Sequence, residues 1–102
     1  MKEYELYVPL TYNDGSSIEP EKLVRIREQL LEQFGNLTFF PQHNDGFWTM
    51  GGVTFRDSIV LYRIVTDKVR PARRFFRQLK EELKRTLRQE EIFIVERDVD
   101  IL

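Results

Sequence analysis

The sequence contains no cysteine, and histidine and tryptophan occur once each, as His43 and Trp48. Without cysteine the chain has no disulfide, no thiol nucleophile and no cysteine-ligated zinc site. With a single histidine it also lacks the paired histidines of a helical zinc motif. We therefore expect no metal and no cofactor, and the missing cysteines fit a reducing cytoplasm.

Long apolar runs are missing as well. No stretch approaches the roughly 20 residues that a membrane helix needs, and the first five residues, Met-Lys-Glu-Tyr-Glu, are too acidic for a signal peptide. We expect a cytoplasmic protein that does not associate with a membrane. A length of 102 residues with 41% hydrophobic side chains predicts one folded domain over residues 1–102.

The order of periodic segments predicts the fold. Alternating or wholly apolar stretches indicate strands, and apolar residues at helical spacing indicate helices. The predicted strands are 3–12, 37–40, 59–66 and 92–95, and the predicted helices are 20–34 and 70–88. This βαββαβ order is typical of an α+β ferredoxin-like sandwich, an antiparallel four-stranded sheet with both helices on one face.

Helical spacing also predicts the core. In the first helix the apolar stripe is Leu23, Ile26, Leu30 and Phe34, widened by Val24 and Leu31. In the second helix it is Ala72, Phe76, Leu79, Leu83 and Leu87. We expect both stripes to pack on the even-numbered residues of the first strand.

The sheet face away from the helices is predicted to be an interface. The central strand, 59–66, is apolar on both sides, and the row with Arg63 belongs on the open face, where a charge costs less than under the helices. We expect a homodimer that uses this row, because an uncovered apolar face is unfavourable in water. The row consists of Ile59, Leu61, Arg63 and Val65.

Residues 41–57 are predicted to form an irregular, hairpin-like excursion from the sheet. Turn signals occur at Asn44-Asp45-Gly46 and at Gly51-Gly52, and the only His and the only Trp lie here. Long irregular segments are often functional. We expect a ligand pocket lined by Tyr7, His43, Trp48 and Arg56. Two simpler interpretations stay open, in which His43 is a solvated loop residue and Trp48 only plugs the end of the core.

Positive charge is concentrated in the second helix. Residues 68–89 carry nine basic and two acidic side chains, whereas residues 1–67 and 90–102 each have an excess of four acidic ones. Such a face can bind nucleic acid through its phosphates. Its acidic neighbours oppose a long-range positive field, so the sequence favours a solvated helix and we expect no nucleic-acid partner.

Three short motifs resemble those of a family of small uncharacterised bacterial domains with a ferredoxin-like fold. They are Gly35-Asn36-Leu37-Thr38, Gly46-Phe47-Trp48 and the run Phe55 to Leu61, although Asn36 departs from the Gly-Leu-Thr step of that family. More broadly the chain is similar to dimeric α+β barrel proteins. That resemblance implies paired sheets and a small molecule held between sheet and helices.

Three functions follow as hypotheses. The first is a small homodimeric domain that binds a small molecule or a protein partner. The second is a cofactor-free enzyme of the dimeric barrel type, with His43 as base and Arg56 holding an anionic oxygen. The third is nucleic-acid binding through the basic helix. The sequence identifies neither a substrate nor a reaction.

Overall fold

Four antiparallel strands form one sheet in the order β2-β3-β1-β4, in a computed structural model that describes residues 1–102. The elements, in chain order, are β1 (Lys2–Pro9), α1 (Pro20–Phe34), β2 (Thr38–Met50), β3 (Val53–Thr66), α2 (Val69–Thr86) and β4 (Ile94–Asp98). This confirms the predicted α+β ferredoxin-like sandwich. Neither helix is long and apolar enough to cross a membrane.

The core lies between the helices and one face of the sheet. Even-numbered residues of β1 and β3 supply the sheet side, because successive strand residues point to opposite faces. Tyr4 stacks on Phe76 of α2 with ring centroids 4.5 Å apart, and Leu79 is 2% exposed. The predicted packing of α2 on β1 and β3 is thus confirmed. The largest fully buried side chains are Tyr62, Leu6, Ile26, Leu30, Ile64, Leu87, Ile92 and Val8.

Helix α1 begins at Pro20 and ends at Phe34, with Gly35 as its C-terminal cap, as predicted. Gly35 takes the left-handed conformation, with φ of 73°, and its N–H donates to the Leu31 carbonyl. The predicted widening of its apolar stripe is wrong, since Val24 is 39% and Leu31 53% exposed. Each residue turns by about 100° around a helix, so these two side chains lie well outside the narrow stripe that contains Ile26.

The predicted excursion is a regular two-stranded hairpin. Strands β2 and β3 run continuously on either side of a turn at Gly51-Gly52, whose φ angles are 60° and 79°. The turn predicted at Asn44-Asp45-Gly46 is wrong, because these residues pair with Ile59, Ser58 and Asp57. Aromatic and β-branched residues favour strands, and here they outweigh the local turn signal. One irregularity remains, a register shift between Phe40 and Asn44.

Strand β4 lies further along the chain than predicted. Ile92 is buried before the strand begins, and Arg97 and Asp98 belong to the strand. The strand therefore ends at Asp98, three residues beyond the predicted end. Charged side chains are common on edge strands, where they keep the free edge soluble.

Candidate functional site

The distal half of the β2–β3 hairpin is exposed and rich in large apolar side chains. Beyond Asn44 the two strands pair only with each other. Trp48 and Phe55 stack across the ladder, with ring centroids 4.8 Å apart, and the Trp48 Nε1–H donates to Asp57 Oδ2 at 2.8 Å. The exposed fractions are 67% for Phe47, 37% for Trp48, 50% for Met50, 55% for Val53 and 40% for Phe55.

The strand register divides these side chains between two faces. Trp48 pairs with Phe55 and Asn44 with Ile59, so Trp48 and Phe55 continue the open face of the sheet. Phe47 pairs with Arg56, and both project from the reverse side. The open face and the Trp48 side of the hairpin therefore form one continuous surface, which we call the open surface.

The four residues of the predicted pocket do not come together in a single chain. Tyr7 pairs with Leu61, six residues along β3 from Phe55, the partner of Trp48. At about 3.3 Å per residue, Tyr7 and Trp48 are roughly 20 Å apart on the open surface. His43 is exposed within the register shift. Arg56 lies on the reverse side.

Arg56 is also engaged in an ion pair. Its Nη2 lies 3.0 Å from Asp45 Oδ1, and Asp45, paired with Ser58, shares the reverse side. The pair occupies Nε and Nη2 of the guanidinium group, so an anionic oxygen at Arg56 would have Asp45 as a competing carboxylate. In one chain the guanidinium group of Arg56 is therefore already paired with a carboxylate, and neither of the two clefts described below includes His43 or Arg56.

The predicted interface row lies on the open face. Ile59, Leu61, Arg63 and Val65 are each half-buried in one chain. Tyr7 and Phe93 extend the same face, with ring centroids 6.4 Å apart, and Phe93 is 63% exposed. Apolar surface thus runs from the β4 edge to the hairpin turn.

A four-membered charge network occupies the rest of the open face. Glu5 is 5% exposed, and its Oε1 accepts from Arg63 Nη2 at 2.6 Å and lies 3.0 Å from Arg97 Nη1. Glu3 contacts both arginines at 3.1 Å. Burial raises the pKa of Glu5, but the hydrogen bond from Arg63 and the charge of Arg97 outweigh it, so the pKa is lowered.

A second network joins β1, β4 and α2 on the helix side of the sheet. The Glu96 carboxylate accepts hydrogen bonds from Arg73 Nε at 2.9 Å and from Arg73 Nη2 at 2.7 Å. It also accepts one from the Tyr4 hydroxyl at 2.8 Å. Lys2 Nζ lies 3.3 Å away. The hydrogen bond from Arg73 is the main reason that the pKa of Glu96 is lowered to about 2. The pKa of Tyr4 is raised to about 12, first by burial and second by the hydrogen bond to Glu96.

We expect acid to weaken this network. The carboxyl pKa of Glu96 is below its usual 4.5 in the folded state, so its stabilising effect is complete above pH 4.5 and is lost as the pH falls toward 2. The difference in thermal midpoint between the wild type and Glu96→Gln should be largest at neutral pH and should close over this range. Glu90→Gln, at an exposed residue without an ion pair, is the control. If the difference in thermal midpoint between the wild type and Glu96→Gln did not change with pH, the lowered pKa of Glu96 would be contradicted.

Two of the clefts on the surface are described here by their lining, and neither includes a residue of the predicted pocket. One, of about 360 Å³, lies at the end of the sheet opposite the hairpin turn, between β3 and the facing ends of α1 and α2. The other, of about 200 Å³, lies between α2 and β4. No group of three or more His, Asp or Glu side chains is placed to hold a metal ion.

The basic face of α2 is partly neutralised by neighbouring carboxylates. Arg73 pairs with Glu96, Lys80 with Glu91 at 2.9 Å and Lys84 with Glu81 at 3.8 Å. Four exposed arginines have no carboxylate partner, namely Arg70, Arg74, Arg77 and Arg85.

We expect no sub-micromolar binding of nucleic acid by this helix, since three of its seven basic side chains are ion-paired and the whole chain carries a net charge of −1. Fluorescence anisotropy with single- and double-stranded oligonucleotides at physiological salt measures this. Tight binding that disappears when Arg73, Arg77 and Lys84 are replaced by Ala would show that the prediction is wrong.

Comparisons with known proteins confirm the fold. No protein-family model and no curated protein matches the sequence. Among solved structures, a phage SAM lyase in complex with S-methyl-5'-thioadenosine superposes with a TM-score of 0.71 at 16% identity, covering 95% of this chain and 80% of the lyase.

Two further structures show the same likeness. CutA1 from Pyrococcus horikoshii has a TM-score of 0.61 at 17% identity and covers 100% of this chain and 86% of its own. The PII-like protein CutA from Nostoc sp. PCC 7120 has a TM-score of 0.60 at 17% identity, with 98% and 82% covered. At such identities the likeness establishes a small ferredoxin-like α+β fold and no activity.

Sequence patterns missed several residues that the fold brings together. Glu3 and Glu5 alternate with apolar residues on β1, which marked them as open-face residues, but nothing indicated that Arg97 would join them. The Tyr4–Glu96–Arg73 contacts span separations of up to 92 residues. Only the strand order reveals such clusters.

Proposed function

We propose that the protein is a homodimer whose subunits pack through the open surface and that it binds a small molecule at the seam between them. The observation that carries this proposal is the hairpin beyond Asn44, with apolar side chains 37–67% exposed and no third strand or helix against it. A two-stranded ribbon alone is marginally stable in water, so a covering surface would stabilise it.

A second copy supplies a matching cover. Closed dimers use the same patch on both subunits, and the open surface is mainly apolar from the Tyr7–Leu61 pair to the hairpin turn. The charges at its other end, two carboxylates and two guanidinium groups, form a neutral set whose members already pair with one another. Covering them therefore leaves no unpaired charge, which is the costly situation in a buried interface.

A two-fold axis near Asn44 and Ile59 would complete the candidate site. This point lies about midway along the roughly 20 Å between Tyr7 and Trp48. Packing about it would place Trp48 of one subunit over Tyr7 of its partner, with the exposed His43 about 10 Å away, close to the axis. The seam would then offer two aromatic rings and one titratable group. Arg56, on the reverse side, takes no part in this arrangement.

Sedimentation velocity tests the assembly. At micromolar concentration we expect twice the chain mass of 12.3 kDa. A larger multiple would support the open surface as an interface but contradict the dimer. A mass of one chain at all concentrations would overturn the proposal.

Trp48 fluorescence tests the ligand site, because it is the only tryptophan. The phage SAM lyase of the same fold is in complex with S-methyl-5'-thioadenosine, and this nucleoside is therefore the first probe. We expect saturable quenching that Tyr7→Ala weakens and Arg56→Ala leaves unchanged. Equal losses in both variants, or no saturable change, would contradict a site at the seam.

A further inference from the structure

The cleft between α2 and β4 has a composition suited to a small anion. Its volume is about 200 Å³. Phe76 and Ile94 supply apolar lining, and Arg73, Arg77 and Lys80 supply three cations. It lies on the helix side of the sheet, so packing through the open surface leaves it accessible, and the inference does not depend on the proposed dimer.

Arg77 is the cation in this cleft that has no intramolecular partner. Arg73 is bound by Glu96 and Lys80 by Glu91, whereas Arg77 makes no ion pair and no hydrogen bond. Arg73 and Arg77 are four residues apart on one helix, a spacing at which like charges repel. The pairing of Arg73 with Glu96 weakens this repulsion, which leaves Arg77 as the cleft cation that a bound anion would neutralise.

The one carboxylate of the cleft does not oppose an anion strongly. Glu96 accepts two hydrogen bonds from Arg73 and one from Tyr4, and Lys2 lies 3.3 Å away. Lys2 lies closer to Asp98, at 2.6 Å, so the charge of Glu96 is balanced mainly by Arg73 before any ligand arrives. The positive charge of Arg77 remains in excess at the cleft.

The free edge of β4 contributes further hydrogen-bonding groups. The Tyr7 N–H donates to Phe93 O and the Val99 N–H to Met1 O, so the odd-numbered residues of β4 form the ladder with β1. The backbone N–H groups of Ile94 and Glu96 therefore point away from β1, toward the open edge. These two residues also line the cleft.

We propose that this cleft binds the phosphate group of a small phosphate monoester, held by the Arg77 guanidinium, with the organic part against Phe76 and Ile94. A guanidinium matches a phosphate with two parallel hydrogen bonds. The volume of the cleft corresponds to about seven water molecules at about 30 Å³ each. A phosphate monoester with one or two carbon atoms has about this size.

An NMR titration of the uniformly ¹⁵N-labelled full chain with ethyl phosphate at constant ionic strength tests this proposal. We expect saturable shifts of the Ile94, Glu96 and Arg77 amide signals. Ethyl phosphate should bind about fourfold tighter than inorganic phosphate for each methylene that it buries. Equal affinity for both would overturn the role of the apolar lining.

Two matched variants identify the anion contact. Arg77→Gln should weaken binding about tenfold or more, the usual loss for a hydrogen bond to a charged group. Arg74→Gln removes an equally exposed arginine of α2 that lies outside the cleft, and should change the affinity less than twofold. Equal weakening by both variants, or shifts that never saturate, would mean diffuse attraction and would overturn the proposal.

A single-stranded oligonucleotide separates this proposal from nucleic-acid binding. If it competes with ethyl phosphate and both variants weaken it equally, the whole basic face contacts phosphodiesters and the cleft is not a specific site. If it does not compete, the small-molecule assignment is supported.

Discussion

Replacing Leu79 by Ala is expected to lower the free energy of unfolding by about 2–5 kcal/mol. Leu79 is 2% exposed and lies in the single cluster of buried apolar residues that joins α2 to the sheet. Truncation removes buried methyl groups and leaves a cavity that the surrounding β1 and β3 side chains fill only in part. Urea denaturation monitored by circular dichroism measures the change.

Leu31→Ala is the matched control for this experiment. It makes the same chemical change in the other helix, but Leu31 is 53% exposed. We expect the free energy of unfolding to change by no more than about 0.5 kcal/mol, as at other surface positions. Equal losses at Leu79 and Leu31 would mean that α1 buries a wider stripe, or that α2 docks elsewhere.

Replacing Phe55 by Glu is expected to weaken self-association by about thirtyfold or more. Phe55 is 40% exposed in one chain and stacks on Trp48 in the middle of the hairpin. A central aromatic side chain in an interface commonly contributes at least about 2 kcal/mol. Glu at this position would also carry a charge into the seam. Sedimentation at a series of concentrations gives the dissociation constant.

Thr54→Glu provides the control for Phe55→Glu. The two residues are adjacent in β3, and Thr54 points to the reverse side of the hairpin, where its hydroxyl contacts Thr49 Oγ1 at 3.0 Å. The same new charge there should leave the association constant nearly unchanged. If both variants dissociate the assembly equally, the hairpin as a whole is perturbed and the open surface is not the interface.

The fold was predictable because its signals are periodic. The apolar stripe of α2 and the alternation of β1 each bury one face, and together they determine the layer order. The hairpin was harder to predict, because Asn44-Asp45-Gly46 has the composition of a turn and yet lies within a strand. Its long, regular pairing depends on the facing residues of β3, which local sequence does not reveal.

The candidate site was less predictable than the fold. Trp48 and Arg56 lie in the same hairpin, but strand register places them on opposite sides. A single register choice thus decides which predicted pocket residues can meet. Likewise Arg77 looks like its neighbours in sequence, and only the fold shows that it lines the cleft while the two other cations there are paired with carboxylates.

The accessibility of Trp48 to acrylamide tests the central claim most directly, that a second copy covers the hairpin. Trp48 is the only tryptophan and is 37% exposed in one chain. We expect weak quenching at high protein concentration and stronger quenching on dilution or in Leu61→Glu, a variant at a distant point of the open face. Quenching that is equally strong at every concentration, in the wild type and in Leu61→Glu alike, would contradict the claim that a second copy covers the hairpin.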